Sequence, residues 1–576
     1  MEHIFRAYDI RGVFNEDLTV DVAARIGETF AALMGHRGRV AVGRDVRVSS
    51  VAMHSAVIAG VIAGGMEAID VGACPIPVLN FHVWSEHCDA GIYITASHNP
   101  PEYNGIRFRN PDGSGWTDRN QELKALFLRG PPERPPWRAV GRLVRPQGGK
   151  AAEAYMAFLR GRVTAPRRFK IVVDPGNGAA TLVAPELLRR VGHEVAVING
   201  EVDGTFPNRS PHPTERSLGA LMEAVVREHA DMGVGYDGDG DRCVFVDDLG
   251  RTVQVEKAGI LLARDALKVR KGKVIVNVPC SMMVEDELAK DGAEVARVRV
   301  GDVFVCEEVK RQKGVFAMEI SAHYFLPLFY IFDDPILATI KLMEIMGRGD
   351  RRLSELVDAM ASYPFVEEEM PCPDELKFRV NDLLLVHFRS RGARIDTTDG
   401  VKVIFDDGWA MLRPSNTQPI TRLFAEARTR ARLDQLVVEF KAVFAEKLAE
   451  ARGAKDAGAG EAKVAAPPRP AVKGAAMPKP KPRPSVKPRP KPRPKPELKP
   501  RHSVKPEPKP RHSVKPRPKP EPKPRPSVKP EPKPRPKPRP KPEPKPKPRP
   551  RPKAAHAPAR RAKGARDRSG TARRNR

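Results

Sequence analysis

The chain has 576 residues, with 100 Lys and Arg against 71 Asp and Glu, a formal net charge of +29. The charge is uneven: 40 of the basic but only 6 of the acidic residues follow residue 462, leaving 60 and 65 before it. Length therefore implies several domains, and the charge split excludes a uniformly basic body; the high pI belongs to a tail.

Six scattered cysteines (Cys74, Cys88, Cys243, Cys280, Cys306, Cys372) include no C-x-x-C pair. They point to reduced thiols in a cytoplasmic protein, away from a disulfide framework or a zinc site. The start, Met1 to Arg6, lacks the apolar core of a signal peptide. The most apolar stretch, Val51 to Ile69, is broken by His54, Glu67 and glycines, which predicts a buried helix and no membrane insertion.

In chain order, three segments repeat one pattern: a β-branched strand, a loop, an apolar-periodic helix, Gly-x-Glu, and a second strand. They begin at Val40-Ala41-Val42, Ile171-Val172-Val173 and Val274-Ile275-Val276, and reach Gly65-Met66-Glu67, Gly192-His193-Glu194 and Gly292-Ala293-Glu294. Such alternation predicts parallel α/β units, as three related domains or as one long Rossmann-like sheet. After Tyr363, strand-like Val401 to Phe405 and an amphipathic helix over 432–447 predict a smaller α+β domain. From Pro478 to Lys553 Lys or Arg alternates with Pro. Proline at every second position forbids helix and interior strand, and nothing apolar is available to bury, so residues 456–576 are expected to be disordered.

Four clusters carry chemistry. Ser97, in Thr95-Ala96-Ser97-His98-Asn99-Pro100, follows the strand-like Gly91 to Ile94 and precedes Ile106-Arg107-Phe108, with Asn104-Gly105 read as a turn between. Its small neighbours are expected to leave the hydroxyl accessible. Asp237-Gly238-Asp239-Gly240-Asp241-Arg242 sets three carboxylates on a glycine-bearing loop between strand-like runs. An EF-hand needs Gly sixth and Glu twelfth, where Arg242 and Asp248 stand; a Mg²⁺ site fits better. Glu319-Ile320-Ser321-Ala322-His323 alternates polar groups that share one face if extended, suited to sugar hydroxyls or to a polar strand. Arg413-Pro414-Ser415-Asn416-Thr417-Gln418-Pro419, with Arg422, offers hydroxyls, an amide and two guanidinium groups to a phosphate dianion.

These clusters, in this order and with the opening Phe5-Arg6-Ala7-Tyr8-Asp9-Ile10-Arg11-Gly12, resemble the α-D-phosphohexomutase family over roughly residues 1–450. The phosphomannomutase/phosphoglucomutase group is the best match, with the phosphoglucosamine mutases close behind. The resemblance implies three related mixed α/β domains plus a smaller C-terminal domain around a central cleft, one loop from each. The expected bounds are 1–150 (phosphoserine loop), 151–250 (metal loop), 251–365 (sugar loop) and 366–455 (phosphate loop). It further implies a phosphorylated Ser97, Mg²⁺ held by Ser97, Asp237, Asp239 and Asp241, and a hexose 1,6-bisphosphate that is both intermediate and activator. Tyr8, Arg11, Arg242, Glu319, Ser321, His323, Arg413, Ser415, Asn416, Thr417 and Arg422 are the implied substrate contacts.

Three positions depart from the family's pattern: Arg107 for a lysine acting as acid and base, Ala322 for glycine, and Gln418 for glutamate. Arginine is not deprotonated in proteins, so Arg107 stabilises charge and leaves the proton to His98 or His323. Ile320 matches neither the methionine of the mutase group nor the glutamine of the glucosamine type, so the sugar stays open between mannose, glucose and glucosamine. A non-catalytic sugar-phosphate binder is the reading of another class. The basic tail suits nucleic acid or other polyanions without base stacking, since it lacks aromatic residues; a solubilising extension is the alternative.

Overall fold

The computed structural model describes residues 1–457 except 7, 147–148 and 416–418, with backbone alone at 454–457; of the 456–576 tail predicted to be disordered, only 456–457 are described, and they end the last helix. The first sheet comprises β1 (Ile10–Val13), β2 (Arg39–Arg44), β3 (Glu67–Ala73), β4 (Ala90–Ile94), β5 (Tyr103–Arg109) and β6 (Leu143–Val144), in the order β1-β5-β4-β2-β3-β6. The second holds β7 (Lys170–Asp174), β8 (Glu194–Val197), β9 (Met232–Tyr236) and β10 (Cys243–Val246), ordered β10-β9-β7-β8. The third holds β11 (Lys273–Asn277), β12 (Glu294–Val298), β13 (Phe316–Met318) and β14 (Tyr324–Phe325), ordered β12-β11-β13-β14.

One topology recurs in all three. A central strand (β2, β7 or β11) pairs in parallel with the next strand across a helix and with a third strand on its other side. A fourth strand then runs antiparallel to the third. The Gly-x-Glu signal marks the return to the sheet: Gly65, Gly192 and Gly292 have φ of +92°, +117° and +66°, a left-handed exit from the helix that costs glycine little. The serine, metal and sugar loops all lie at the same place, between the third strand and its antiparallel neighbour. Three separate sheets thus replace the single long sheet.

The fourth sheet is wholly antiparallel: β15 (Phe365–Pro371), β16 (Arg394–Asp396), β17 (Val401–Phe405), β18 (Gly408–Pro414) and β19 (Ile420–Ala427), in the order β15-β19-β18-β17-β16. Helices Lys377–Ser390 and Arg430–Ala457 cover one face, burying Val380, Leu384, Leu433, Leu436 and Phe440. The last helix continues ten residues past the predicted 432–447. A separate cluster of Val278, Trp409, Met411 and Phe424 joins this domain to the third.

Two local expectations change. Asn104-Gly105 is no turn; both lie inside β5. A Cβ on Gly105 would come within 2.3 Å of the Ile10 carbonyl, so glycine is there to let β1 approach, while Asn104 donates to Ser49 and Ser50. The apolar stretch from Val51 divides into helix Ser50–Ala63 and strand β3. Within that helix Gly60 lets its neighbour Val20–Leu33 pack closely, since a Cβ would meet the Ala24 carbonyl at 2.0 Å. No helix among the described residues is long and apolar enough to cross a membrane.

Candidate active site

The loop between β4 and β5 is built from polar contacts. Ser97 has φ of +51° and is fully buried, so its hydroxyl is not accessible in the way its small neighbours suggest; the metal loop covers it. A left-handed serine costs about 1–2 kcal/mol and needs a scaffold. Arg47, itself buried, supplies one: its Nη1 donates to the carbonyls of Pro100 and Tyr103 (2.6 and 3.1 Å) and its Nη2 to those of Ser97 and Asn99 (both 2.7 Å). Its Nε donates to Asp45, which also accepts from Thr95 Oγ1 at 2.8 Å. Arg11 adds bonds to the Ala96 carbonyl and to Asn99 Oδ1, and is held by Asp9. Asp45 and Arg47 were not singled out from the sequence. Their signal is position, charged residues at the carboxyl end of a parallel strand, where α/β sheets place ligand sites.

Ser97 Oγ donates to Asp237 Oδ2 at 3.3 Å and lies 3.2 Å from His98 Nδ1. Asp237 Oδ1 accepts from the backbone N–H groups of Gly240, Asp241 and Arg242, which curls the loop and turns the carboxylates together. Ligand atoms of Asp237, Asp239 and Asp241 lie within 4.8 Å of one another. Burial and mutual repulsion push Asp237 well above the carboxylate range and Asp239 up to about 6. Burial also pushes Asp241 upward, but His323, Arg107 and Arg242 outweigh it and hold it low. Among the described residues, Asp239 Oδ1 and Asp241 Oδ1 are buried acceptors with no hydrogen-bond donor. Two orphaned oxygens and three crowded carboxylates beside a serine hydroxyl fit a hard divalent cation.

The sugar loop is a tight turn, not the extended strand that would align its polar groups. Ala322 N–H bonds the Glu319 carbonyl at 3.0 Å, and Ala322 holds φ of +72°, which explains why glycine is the easier residue there. Glu319 is buried and accepts from Asn277 Nδ2 and Gly301 N–H (3.0 and 2.8 Å); burial raises its pKa. His323 Nδ1 contacts Asp333 Oδ2 at 2.6 Å, and Arg242 Nε–H donates to His323 Nε2 at 2.9 Å. Burial favours the neutral ring, while Asp241 and Asp333 pull its pKa up to about 9. The Arg242 bond needs a free lone pair on Nε2, so it opposes the second proton that the two carboxylates favour and goes with the tautomer protonated on Nδ1.

Arg107, buried on β5, bridges Asp241 Oδ2 of the metal loop (2.7 Å) and Asp302 Oδ2 of the third domain (2.5 Å). Both carboxylates raise its pKa against burial, so it stays charged. Asp302 follows Gly301 just past β12, again at a strand's carboxyl end, and sequence reasoning passed over it and Asp333. Tyr8 packs edge-on against Phe304, and burial, with help from Asp9 and Asp302, pushes its phenol up to about 12. Burial is second to Arg242 in keeping His98 well below the usual imidazole range, so this ring is neutral. Arg413 is held by Asp399, and Arg422 by Glu367 and Glu369. Asn416, Thr417 and Gln418 lie outside the described residues.

One cleft of about 610 Å³ gathers Tyr8, Arg11, His98, Arg107, Arg242, Asp302, Glu319, Ser321, His323, Arg413, Ser415 and Arg422. Groups from all four sheets meet there. The phosphoglucomutase/phosphomannomutase family models match in chain order: domain I at 2–130, domain II at 153–250, domain III at 255–363 and the C-terminal domain at 375–443.

The chain belongs to the α-D-phosphohexomutase family. It belongs to a metal-dependent family of isomerases that transfer phosphate intramolecularly. It is 38% identical over 442 residues to a probable phosphoglucosamine mutase of Methanopyrus kandleri (76% of this chain, 97% of the relative). It is 36% identical over 439 residues to a phosphoglucomutase/phosphomannomutase of Thermococcus kodakarensis (74% and 95%). A crystal structure of a phosphoglucomutase/phosphomannomutase family protein from Burkholderia thailandensis matches with a TM-score of 0.71 at 28% identity, covering 78% of this chain and 98% of that one.

Proposed function

We propose that this mutase interconverts hexose 1-phosphate and hexose 6-phosphate, of mannose and glucose, through phosphorylated Ser97 and a hexose 1,6-bisphosphate. The observation that carries the reading is Ser97 Oγ set 3.3 Å from Asp237 Oδ2, at the edge of three crowded carboxylates. Asp237, Asp239 and Asp241 with the Ser97 oxygen would hold Mg²⁺, which withdraws charge from a phosphoryl group in a loose transition state. Arg107 and Arg242 add fixed positive charge beside the same carboxylates. His98 Nδ1, 3.2 Å from Ser97 Oγ, is placed to exchange a proton with that oxygen as the phosphate leaves and returns. Glu319 and Ser321 would read sugar hydroxyls, and Arg413, Ser415 and Arg422 with Asn416 and Thr417 would hold the phosphate that is not reacting. A bisphosphate that turns over in the cleft then presents either end to Ser97.

Phosphoglucosamine is the second substrate reading, favoured by the name of the 38%-identical relative. The test is turnover of mannose, glucose and glucosamine 1-phosphates by the full chain with Mg²⁺ and a trace of glucose 1,6-bisphosphate. Turnover abolished by Ser97→Ala supports the mechanism, and the ranking names the sugar. No turnover with Ser97 phosphorylated moves the non-catalytic sugar-phosphate binder to first place. Six buried free cysteines support a cytoplasmic setting. For the tail, its 40 Lys and Arg against 6 acids support polyanion binding, checked by a salt-dependent gel shift against tail-deleted protein.

A further inference from the structure

The proposed mutase chemistry needs a group to take the proton of the attacking sugar hydroxyl, and Arg107 cannot. The cleft offers few others. Both ring nitrogens of His323 are engaged, one by Asp333 and one by the Arg242 N–H. Glu319 Oε1 accepts from the Asn277 and Gly301 N–H groups, and the mutase reading gives its other oxygen to the sugar hydroxyls. The Tyr8 phenol keeps its own proton, and His98 stands against Ser97, the other partner in the transfer.

Asp302 remains. It lines the cleft at the start of helix Asp302–Gln312, and its Oδ2 is held by Arg107 Nη2 at 2.5 Å with Arg109 Nη1 at 3.6 Å. Its Oδ1 accepts no hydrogen bond among the described residues. Arg107 also bonds Asp241 of the metal loop, so one guanidinium sets Asp302 at a fixed place relative to the phosphoryl centre.

We propose that Asp302, held in place by Arg107, is the general base of this chain. This rests on the mutase reading. In the forward transfer the sugar oxygen bonds to phosphorus, the phosphorus–Oγ bond of Ser97 breaks, and the hydroxyl proton passes to Asp302 Oδ1. In the return transfer Ser97 Oγ bonds to the phosphorus of the other phosphate, that phosphorus–sugar oxygen bond breaks, and the freed sugar oxygen takes the proton from Asp302, so the carboxylate is regenerated. A strongly ionised carboxylate suffices, because the hydroxyl becomes acidic only as its bond to phosphorus forms.

The experiment compares full-length wild type, Asp302→Asn, Arg107→Lys and the double variant across pH, with circular dichroism and Ser97 phosphorylation followed in each. Wild-type turnover of at least one hexose 1-phosphate comes first; its absence sinks the mutase reading and this inference with it. Given turnover, Asp302→Asn is expected to lose about 10²–10⁴-fold in kcat with KM within a few-fold. Arg107→Lys/Asp302→Asn is expected to recover at least tenfold over Asp302→Asn, with activity now rising toward alkaline pH as the lysine deprotonates. Asp302→Asn within threefold of wild type overturns the proposal. So does a folded, phosphorylated double variant no better than Asp302→Asn while Arg107→Lys is active, since Asp302 would then be structural. If Asp302→Asn misfolds, the pH profile of the double variant alone decides between the two.

Discussion

Replacing Arg47 with lysine keeps the charge but removes the fork on which the serine loop hangs. Five N–H groups of Arg47 make five bonds: one to Asp45 and four to carbonyls of Ser97, Asn99, Pro100 and Tyr103. A lysine ammonium has three donors radiating from one point, so at least two of the five acceptors lose their partner. At about 1.5–3 kcal/mol for a hydrogen bond to a charged group, the loss is roughly 3 kcal/mol or more. The left-handed φ of Ser97 (+51°) adds about 1–2 kcal/mol of strain that the scaffold no longer opposes. Arg47→Lys should therefore lower Tm by several degrees and kcat by at least tenfold, because a nucleophile displaced by an ångström loses about a hundredfold. KM for sugar phosphate should move little, since Arg47 is not part of the cleft lining. Calorimetry and steady-state kinetics on the same preparation measure both. Tm and kcat unchanged in the variant would mean the loop holds itself, and the scaffold argument would fail.

Other outcomes follow from the same geometry. Asp239→Asn should weaken Mg²⁺ binding at least tenfold by isothermal titration and abolish the Mg²⁺-dependent rise in Tm expected of the wild type, because it removes charge at one of the two orphaned oxygens. Lys402 is buried between the third and fourth domains, donating to the Val278 carbonyl at 2.7 Å, and burial followed by Arg297 depresses its pKa to about 7. A lysine depressed in the folded state costs stability in full below the folded pKa, and the cost fades as pH rises toward the unfolded value near 10.5. Wild type should thus gain on Lys402→Met by about 4 kcal/mol between pH 7 and 10, and parallel Tm–pH curves would refute this. Ala322→Val should cost about 2 kcal/mol, because a β-branched residue tolerates φ of +72° poorly, whereas Ala322→Gly should stay within about 1 kcal/mol; chemical denaturation distinguishes them.

Legibility in the sequence tracked how locally each feature is encoded. The three parallel units showed because Val40-Ala41-Val42, Ile171-Val172-Val173 and Val274-Ile275-Val276 each begin a strand, helix and glycine exit within thirty or so residues. The metal loop showed because its carboxylates and glycines are contiguous. Arg47 and Asp302 did not, since each acts on residues far along the chain: Arg47 on the Ser97 carbonyl 50 residues on, Asp302 on Arg107 195 residues back. Asp333 is only 10 residues from His323 but lies outside the contiguous sugar-loop motif. Two misreadings had the same origin. Alternation in Glu319 to His323 suggested a strand, but the Glu319–Ala322 bond closes a turn, and Asn104-Gly105 suggested a turn where tertiary packing needs a glycine in a strand.

The charges of the cleft bear on how a bisphosphate could both bind and turn. Arg11, Arg107, Arg413 and Arg422 all face it, a density of positive charge that alone would trap a ligand with four negative charges. Each is already opposed by a carboxylate: Arg11 by Asp9, Arg107 by Asp241 and Asp302, Arg413 by Asp399, Arg422 by Glu367 and Glu369. An incoming phosphate therefore gains only the difference between its own attraction and that of the resident acid, which is what an intermediate needs if it is to let go of one loop and reach another. The pairs are not equal. Asp9, Asp241 and Asp302 are buried and fixed, whereas Glu367 and Glu369 are half-exposed on β15, where solvent weakens their hold. On the proposed mechanism, the grip on phosphate should thus be easier to retune at the fourth domain than at the serine. Glu369→Gln should accordingly lower KM for sugar phosphate a few-fold and, where release of the bisphosphate's far end limits turnover, lower kcat with it. A KM that rises or stays put would show that the resident carboxylates do not compete with the substrate.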